Sequence, residues 1–166
     1  MKSIFLKGLF IISIFLMHNC KAQSASVNEY ITFYNGVVPK LNTVAANKTQ
    51  FYGQNFSKFY NELLNKNVSI VNLGYGSKTD TGRKYYKLRL FFCDSNMDKP
   101  ALDNKFQIPW ITITFQDEIP SQIKSMVLQY HGEWNDTFVQ FFSNMKIESI
   151  DFIGVNGYNS NDWSGK

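Results

Sequence analysis

The sequence is poor in the two residue types on which many catalytic and metal sites depend. Its 166 residues include two histidines and two cysteines, and one of each lies within the first 20 residues. Beyond that segment only His131 and Cys93 remain. A zinc site built on two or three histidines is therefore excluded there, and so is an internal disulfide. We expect no bound metal and no cofactor.

A hydrophobic run of membrane-spanning length is also missing. The longest apolar run, Leu9 to Met17, has nine residues, whereas a transmembrane helix needs about 20. Lys2 and Lys7 precede it, and a basic region followed by a short apolar region is typical of a secretory signal peptide. We therefore predict a signal over residues 1–23 and an exported protein, periplasmic or secreted.

Two processing routes are open at the end of this segment. Small residues cluster after Cys20, which predicts cleavage by signal peptidase between Cys20 and Ala25. Alternatively, acyl chains on Cys20 would anchor the protein in the envelope. The preceding Met17-His18-Asn19 is bulky and polar, unlike a lipoprotein cleavage motif, so free secretion is the favoured interpretation. A membrane is an expected partner only if Cys20 is lipidated.

Positive charge is scarce once the signal is set aside. The whole chain has a net charge of +4, but three of its lysines belong to the predicted signal. Removing them leaves 14 basic and 13 acidic side chains, a net charge of +1. A nucleic-acid binder usually shows a clustered basic face. Only Lys84, Lys87 and Arg89 come close, and Lys87 and Arg89 alternate along a predicted strand, which indicates a solvated face. Nucleic acid is therefore not an expected partner.

The first half of the mature chain carries helical patterns. Ser26 and Glu29 have the spacing of a capping box, and apolar residues follow at helical intervals. Pro39 is expected to kink or end this first helix. A second stripe, from Tyr52 to Leu64, has apolar residues on one side and polar residues on the other, which predicts an amphipathic helix.

The middle of the chain switches to the alternation of β-strands. Strands are predicted over 68–73, 86–92 and 111–115, and a last one over 147–155. The polar segment 94–105, which contains Pro100, predicts a loop. Residues 121–130 fit helical spacing, although they also alternate as a strand would, and helix is favoured. A further aromatic stripe predicts a helix from about Asn135 to Met145.

This order of elements predicts an α+β fold in one domain over residues 24–155. The expected sheet is mostly antiparallel, with four strands, or five if 121–130 is a strand. Helices at the N-terminus and before the last strand are expected to pack on one of its faces. Residues 156–166 are rich in glycine, asparagine and serine, which predicts a loose C-terminal tail.

The catalytic candidates are few. His131 could act as a base on Cys93 or on a serine, with Glu133 or Asp136 orienting it. No serine nucleophile elbow and no cysteine-protease signature surrounds these residues. A surface or turn histidine and a buried, inert cysteine are the favoured interpretations.

One segment has the beginning of a calcium-binding loop. Asp94, Asn96 and Asp98 place oxygen atoms at alternate positions, and Asp103 could add another. The pattern then fails, because Lys99 occupies the position of the sharp-turn glycine. A polar loop explains these residues equally well.

A second partial motif is Gly74-Tyr75-Gly76. It lacks the third glycine and the following helix of a dinucleotide-binding turn. Part of a hairpin loop is the favoured interpretation.

Aromatic residues are the one clear surplus, with 24 Phe, Tyr and Trp after the predicted signal. Most must be core, but Tyr75, Tyr85, Trp110 and Trp163 are expected in loops or on the polar side of an element. Such residues suit a binding face, because they bury area and keep a polar tip.

Three functional hypotheses follow. The first is a non-enzymatic module that binds a protein or glycan. The second is a small hydrolase that uses His131 with a carboxylate or with Cys93. The third is an inhibitor or immunity-type protein.

Overall fold

The computed structural model describes residues 25–79 and 82–166. These residues form five α-helices and a four-stranded antiparallel sheet, so the predicted α+β class is confirmed. In chain order the elements are α1 (Val27–Ala45), a 3₁₀ helix (Lys48–Phe51), α2 (Phe56–Asn65), β1 (Asn72–Gly76), β2 (Lys87–Phe91), α3 (Ser95–Asp103), β3 (Trp110–Phe115), α4 (Ile123–Gln129), α5 (Asp136–Phe142) and β4 (Ile147–Ile153). The predicted signal and Cys20 lie outside the described residues.

Helix α1 begins at the predicted capping box. The Ser26 hydroxyl accepts the Glu29 backbone N–H at 3.2 Å, and the Glu29 carboxylate accepts the Ser26 N–H at 2.6 Å. The helix continues through Pro39. A proline in a helix interior lowers stability by about 3 kcal/mol, because it removes a backbone hydrogen bond and clashes with the preceding turn. A buried stripe that runs the length of the helix, from Tyr30 to Val44, offsets this cost.

The sheet has the order β1-β2-β3-β4, and every neighbouring pair is antiparallel. Because side chains alternate between the two faces of a strand, each strand sends one set of residues into the core. The helices pack on this core face. Its fully buried or nearly buried residues are Leu73, Leu88, Leu90, Ile111, Ile113, Ile150 and Phe152.

The prediction of a loop over 94–105 was wrong. Residues Ser95–Asp103 form α3, which packs against α1. The Asp94 side chain caps it by accepting the Met97 backbone N–H at 3.0 Å, and Pro100 and Ala101 are buried. A polar composition and an internal proline hide a helix that is stabilised by its cap and its tertiary contacts.

The structure resolves the ambiguous segment 121–130 and corrects the bounds of the first predicted strand. Residues Ile123–Gln129 are helical, as favoured from the sequence, with Ile123 and Met126 buried. Strand β1 begins four residues and ends three residues later than the predicted strand over 68–73. The prediction that Gly74-Tyr75-Gly76 is part of a hairpin loop was wrong, because these residues pair with β2. Its register pairs Gly74 with Arg89 and Gly76 with Lys87.

Both edges of the sheet are covered by other parts of the chain. At β1 the Leu73 N–H donates to the Gly132 carbonyl at 2.9 Å. At β4 the backbone N–H and carbonyl of Phe152 pair with Lys166 at 3.1 and 3.0 Å. Covered edges protect a sheet from pairing with other chains, which leaves a sheet face as the exposed surface.

The C-terminal residues 156–166, for which composition predicts a loose tail, make a defined set of hydrogen bonds. The buried Gln107 side chain donates to the carbonyls of Ser160 and Asp162, at 3.0 and 2.5 Å, and accepts the Asn156 N–H at 3.1 Å. These bonds hold the segment beside β4. In the part of the chain that the structure describes, no helix combines the length and apolarity needed to cross a bilayer.

Candidate functional site

The face of the sheet opposite the helices carries a mixture of aromatic and charged side chains. We call it the open face. Its three rows across the strands, read from β1 to β4, are Asn72, Phe91, Trp110 and Ile153; Gly74, Arg89, Thr112 and Asp151; and Gly76, Lys87, Thr114 and Ser149. The middle of this face forms a shallow depression of about 360 Å³. It is lined by Lys87, Arg89 and Phe91 of β2, Trp110 and Thr112 of β3, and Asp151 and Ile153 of β4.

Two tryptophans meet at one end of the open face. The ring centroids of Trp110 and Trp163 are 6.1 Å apart, with 36° between the ring planes. Trp163 is 44% exposed and reaches Trp110 because the C-terminal segment pairs with β4 through Lys166. Gly165 lets that segment approach closely, since a Cβ there would lie 2.9 Å from Cδ1 of Ile153.

The charges of the open face are unevenly paired. Asp151 forms an ion pair with Lys48 at 3.8 Å. Lys87 and Arg89 form no ion pair with any carboxylate of the described residues. The depression therefore has two cations whose charges are not balanced by a neighbouring side chain in this part of the chain.

A further ion pair lies at the far end of the open face. Lys78 of the β1–β2 connection contacts the Glu148 carboxylate, and its ammonium lies 4.8 Å from the centroid of the Tyr86 ring. Glu148 sits where the register of β3 and β4 shifts by one residue. This carboxylate is therefore already engaged by a lysine.

The other two predicted aromatic residues lie elsewhere. Tyr75 is on the core face of β1, paired with Leu88, and Tyr85 packs against it with ring centroids 4.7 Å apart and an edge-to-face angle of 85°. The Lys124 ammonium lies 5.2 Å from the Tyr85 ring centroid. The structure thus brings Trp110 to Trp163 and Tyr75 to Tyr85, but it places the two pairs on opposite sides of the sheet.

His131 is exposed and follows the end of α4. It has a φ of 53°, and Gly132 has a φ of 75° and donates its N–H to the Val127 carbonyl at 3.0 Å. Left-handed residues of this kind terminate helices. Glu133 and Asp136 are exposed, and no hydrogen bond among the described residues joins either of them to His131. The geometry gives His131 the role of a helix-terminating residue.

Cys93 is buried, at 6% exposure, and its thiol donates to Oδ1 of Asp98 at 2.9 Å. Burial raises the pKa of the thiol, and the hydrogen bond to the carboxylate raises it further. Burial also raises the pKa of Asp98. A thiol with a raised pKa is a poor nucleophile near neutral pH, because the thiolate is the reactive form.

The four calcium candidates lie on or beside α3. Asp94 is its N-cap, Asp98 binds the Cys93 thiol, and Asn96 and Asp103 are exposed on the helix. A helix does not wrap these oxygen atoms around one point as a calcium loop does. The described residues contain no group of three or more His, Cys, Asp or Glu side chains placed to hold a metal ion.

Six residues of the depression were not among the sequence candidates for a site: Lys87, Arg89, Phe91, Thr112, Asp151 and Ile153. The signal for three of them was present in the alternation of β2. Phe91 shares its face with Lys87 and Arg89, because residues two apart in a strand point to the same side. Thr112, Asp151 and Ile153 could be assigned to the depression only from the order and register of the strands.

The fold and the site define an α+β protein with an exposed sheet face that combines aromatic rings with unbalanced positive charge. A comparison of the chain with protein-family models, with curated proteins and with solved structures finds no match.

Proposed function

We propose that the protein is a non-enzymatic module, exported to the cell envelope or beyond, that binds a saccharide on its open face. The observation that carries this proposal is the pair Trp110 and Trp163 beside polar side chains on the same face. An indole ring offers a flat apolar surface on which the C–H bonds of a sugar ring can pack. Polar groups around it can then bind the hydroxyls.

The polar groups of the depression supply both kinds of hydrogen-bonding partner. Arg89 and Lys87 are donors, the Asp151 carboxylate is an acceptor, and the Thr112 hydroxyl is both. A few fixed polar groups around an apolar floor are typical of small-ligand sites. A sugar, which carries donors and acceptors around an apolar ring face, fits this combination.

The size of the open face favours a saccharide over a whole protein surface. With about 4.8 Å between strands and about 3.4 Å per residue, the face measures about 14 Å in each direction. The footprint of the backbone on this face is then about 200 Å². Each partner in a standard protein–protein interface buries about 800 Å² of accessible surface, a considerably larger patch. An area of this size suits a few sugar rings.

The positions of the catalytic candidates support a binding role over a hydrolase. A hydrolytic site needs a nucleophile or activated water, a base and an orienting group within mutual reach. His131 is an exposed helix-terminating residue, and the Cys93 thiol is buried against Asp98. Neither residue lines the depression on the open face.

Isothermal titration calorimetry with a panel of neutral, uronate-containing and sulfated oligosaccharides tests the proposal. Trp110→Ala should weaken binding about 30-fold, since a central aromatic anchor contributes about 2 kcal/mol. Leu128→Ala is the matched control, because it removes a large exposed apolar side chain from α4, on the helix side of the sheet. If no saccharide of the panel shows binding that depends on Trp110, the proposal is overturned.

A further inference from the structure

We infer that the saccharide bears a carboxylate, that Arg89 binds this carboxylate with Lys87 beside it, and that another sugar ring of the same oligosaccharide stacks on Trp110. The inference rests on the proposed function and specifies the ligand of the same site. The ligand class is an acidic saccharide built from uronic acid units.

The first observation is the position of Arg89 in the open face. It lies in the central row between Gly74 and Thr112, and Trp110 lies on the neighbouring strand one row away. Diagonal neighbours on one sheet face are about 7 Å apart. This spacing is between backbone positions, and the Arg89 guanidinium extends toward Gly76, away from the Trp110 row. The two residues therefore suit different units of one oligosaccharide, with one ring on the indole and the carboxylate of another unit at the guanidinium.

The second observation explains the two glycines of β1. A Cβ at Gly76 would lie 4.0 Å from Nη2 of Arg89, so the guanidinium extends along the open face toward Gly76. A Cβ at Gly74 would lie 3.9 Å from Cβ of Arg89 and 3.6 Å from the Phe91 ring. Neither glycine has a left-handed φ, so the backbone conformation does not require glycine. What the glycines provide is an edge strand with no side chain at two neighbouring positions of the open face, above which Arg89 remains accessible.

The third observation is the charge balance. The two acidic residues of β4 nearest the open face are each engaged by a lysine, Asp151 by Lys48 and Glu148 by Lys78. Arg89 and Lys87 form no ion pair within the described residues. The depression therefore favours a ligand with negative charge.

The choice of carboxylate follows from the shape of arginine. Its guanidinium is a planar fork that matches the two oxygens of a carboxylate with parallel hydrogen bonds. Lys87, two residues away on the same face, adds a second positive charge without this directional requirement. Together they would hold one planar anionic group or two successive ones along a chain.

The experiment compares each uronate oligosaccharide with its carboxyl-reduced form, which keeps the sugar backbone and lacks the charge. Titrations use the wild-type protein, Arg89→Gln, Arg89→Lys and Trp110→Ala. Lys58→Gln serves as the control, because it removes one positive charge from α2 on the helix side of the sheet. Circular dichroism checks that each variant is folded.

The inference predicts that the wild type binds the uronate at least tenfold more tightly than its reduced form. Arg89→Gln should abolish this preference, Arg89→Lys should restore part of it, and Lys58→Gln should retain it in full. Equal binding of the two forms through Trp110, with no effect of Arg89→Gln, would overturn the inference and leave the proposed function standing. A preference for sulfated oligosaccharides over uronates would also overturn it. Absence of any Trp110-dependent binding would overturn the proposed function itself.

Discussion

Gln107 donates its side-chain amide to the backbone carbonyl of Ser160 at 3.0 Å, across 53 residues of chain. The same buried side chain accepts the Asn156 N–H at 3.1 Å and donates to the Asp162 carbonyl. The residue after Asp162 is Trp163, which meets Trp110 on the open face. One buried amide therefore helps to position half of the tryptophan pair.

Replacing Gln107 with methionine should destabilise the fold and disturb the site. The loss of the amide leaves backbone groups of the C-terminal segment without partners, which costs about 1–3 kcal/mol when they are buried. Urea denaturation should show that loss in the free energy of unfolding. Gln129→Met, at an exposed position in α4, is the control. Unchanged stability in Gln107→Met would mean that the segment is held by other contacts.

Stability should decline at alkaline pH. Burial raises the pKa of the Cys93 thiol and of the Tyr30 and Tyr34 hydroxyls. In the unfolded chain these groups ionise above about pH 8.5 for cysteine and about pH 10 for tyrosine. The native state then binds more protons than the unfolded state, so the free energy of unfolding falls as pH rises past these values.

Cys93→Ala isolates the contribution of cysteine to this decline. The variant lacks the thiol, so its stability should fall less steeply than that of the wild type between about pH 8.5 and pH 10. Urea titrations at several pH values measure both slopes. Parallel curves for the two proteins would show that Cys93 is accessible and ionises in the native state.

Helix α5 should be essential to the core. Phe138 and Phe142 are fully buried, and Trp134 stacks on both rings. Truncating either phenylalanine to alanine should cost about 3–5 kcal/mol, the range for a buried aromatic residue. Gln140→Ala, on the exposed side of the same helix, should change little. A loss under about 1 kcal/mol at both phenylalanines would contradict their core placement.

Export is tested on the protein recovered from its producing cells. We predict that intact-mass analysis places the new N-terminus between Cys20 and Ala25, because small residues follow the short apolar run there. A mass increase that corresponds to a diacylglycerol on Cys20 would instead establish the lipid-anchored form. Retention of residues 1–23 would contradict both routes.

Much of the fold could be predicted because it depends on local interactions. The capping box at Ser26 and the stripe of α1 are patterns within a few residues of chain. The alternation of β2 likewise assigns Leu88 and Leu90 to the core and Lys87 and Arg89 to solvent. The missed helix α3 shows the limit, since its polar sequence forms a helix through the cap at Asp94 and the burial of Pro100 and Ala101.

Some features of the candidate site could likewise be predicted from the sequence, whereas others depend on the fold. Composition and short-range patterns were enough to predict the α+β class, the periodicity of the strands and the surplus of aromatic residues, because propensity and side-chain alternation act along the chain. Contacts between distant segments place Tyr75 and Tyr85 on the core side and bring Trp163 to Trp110. They also place Arg89 beside two glycines. These placements depend on the order and register of the strands and on the closure of the C-terminal segment, which are contacts between residues far apart in sequence.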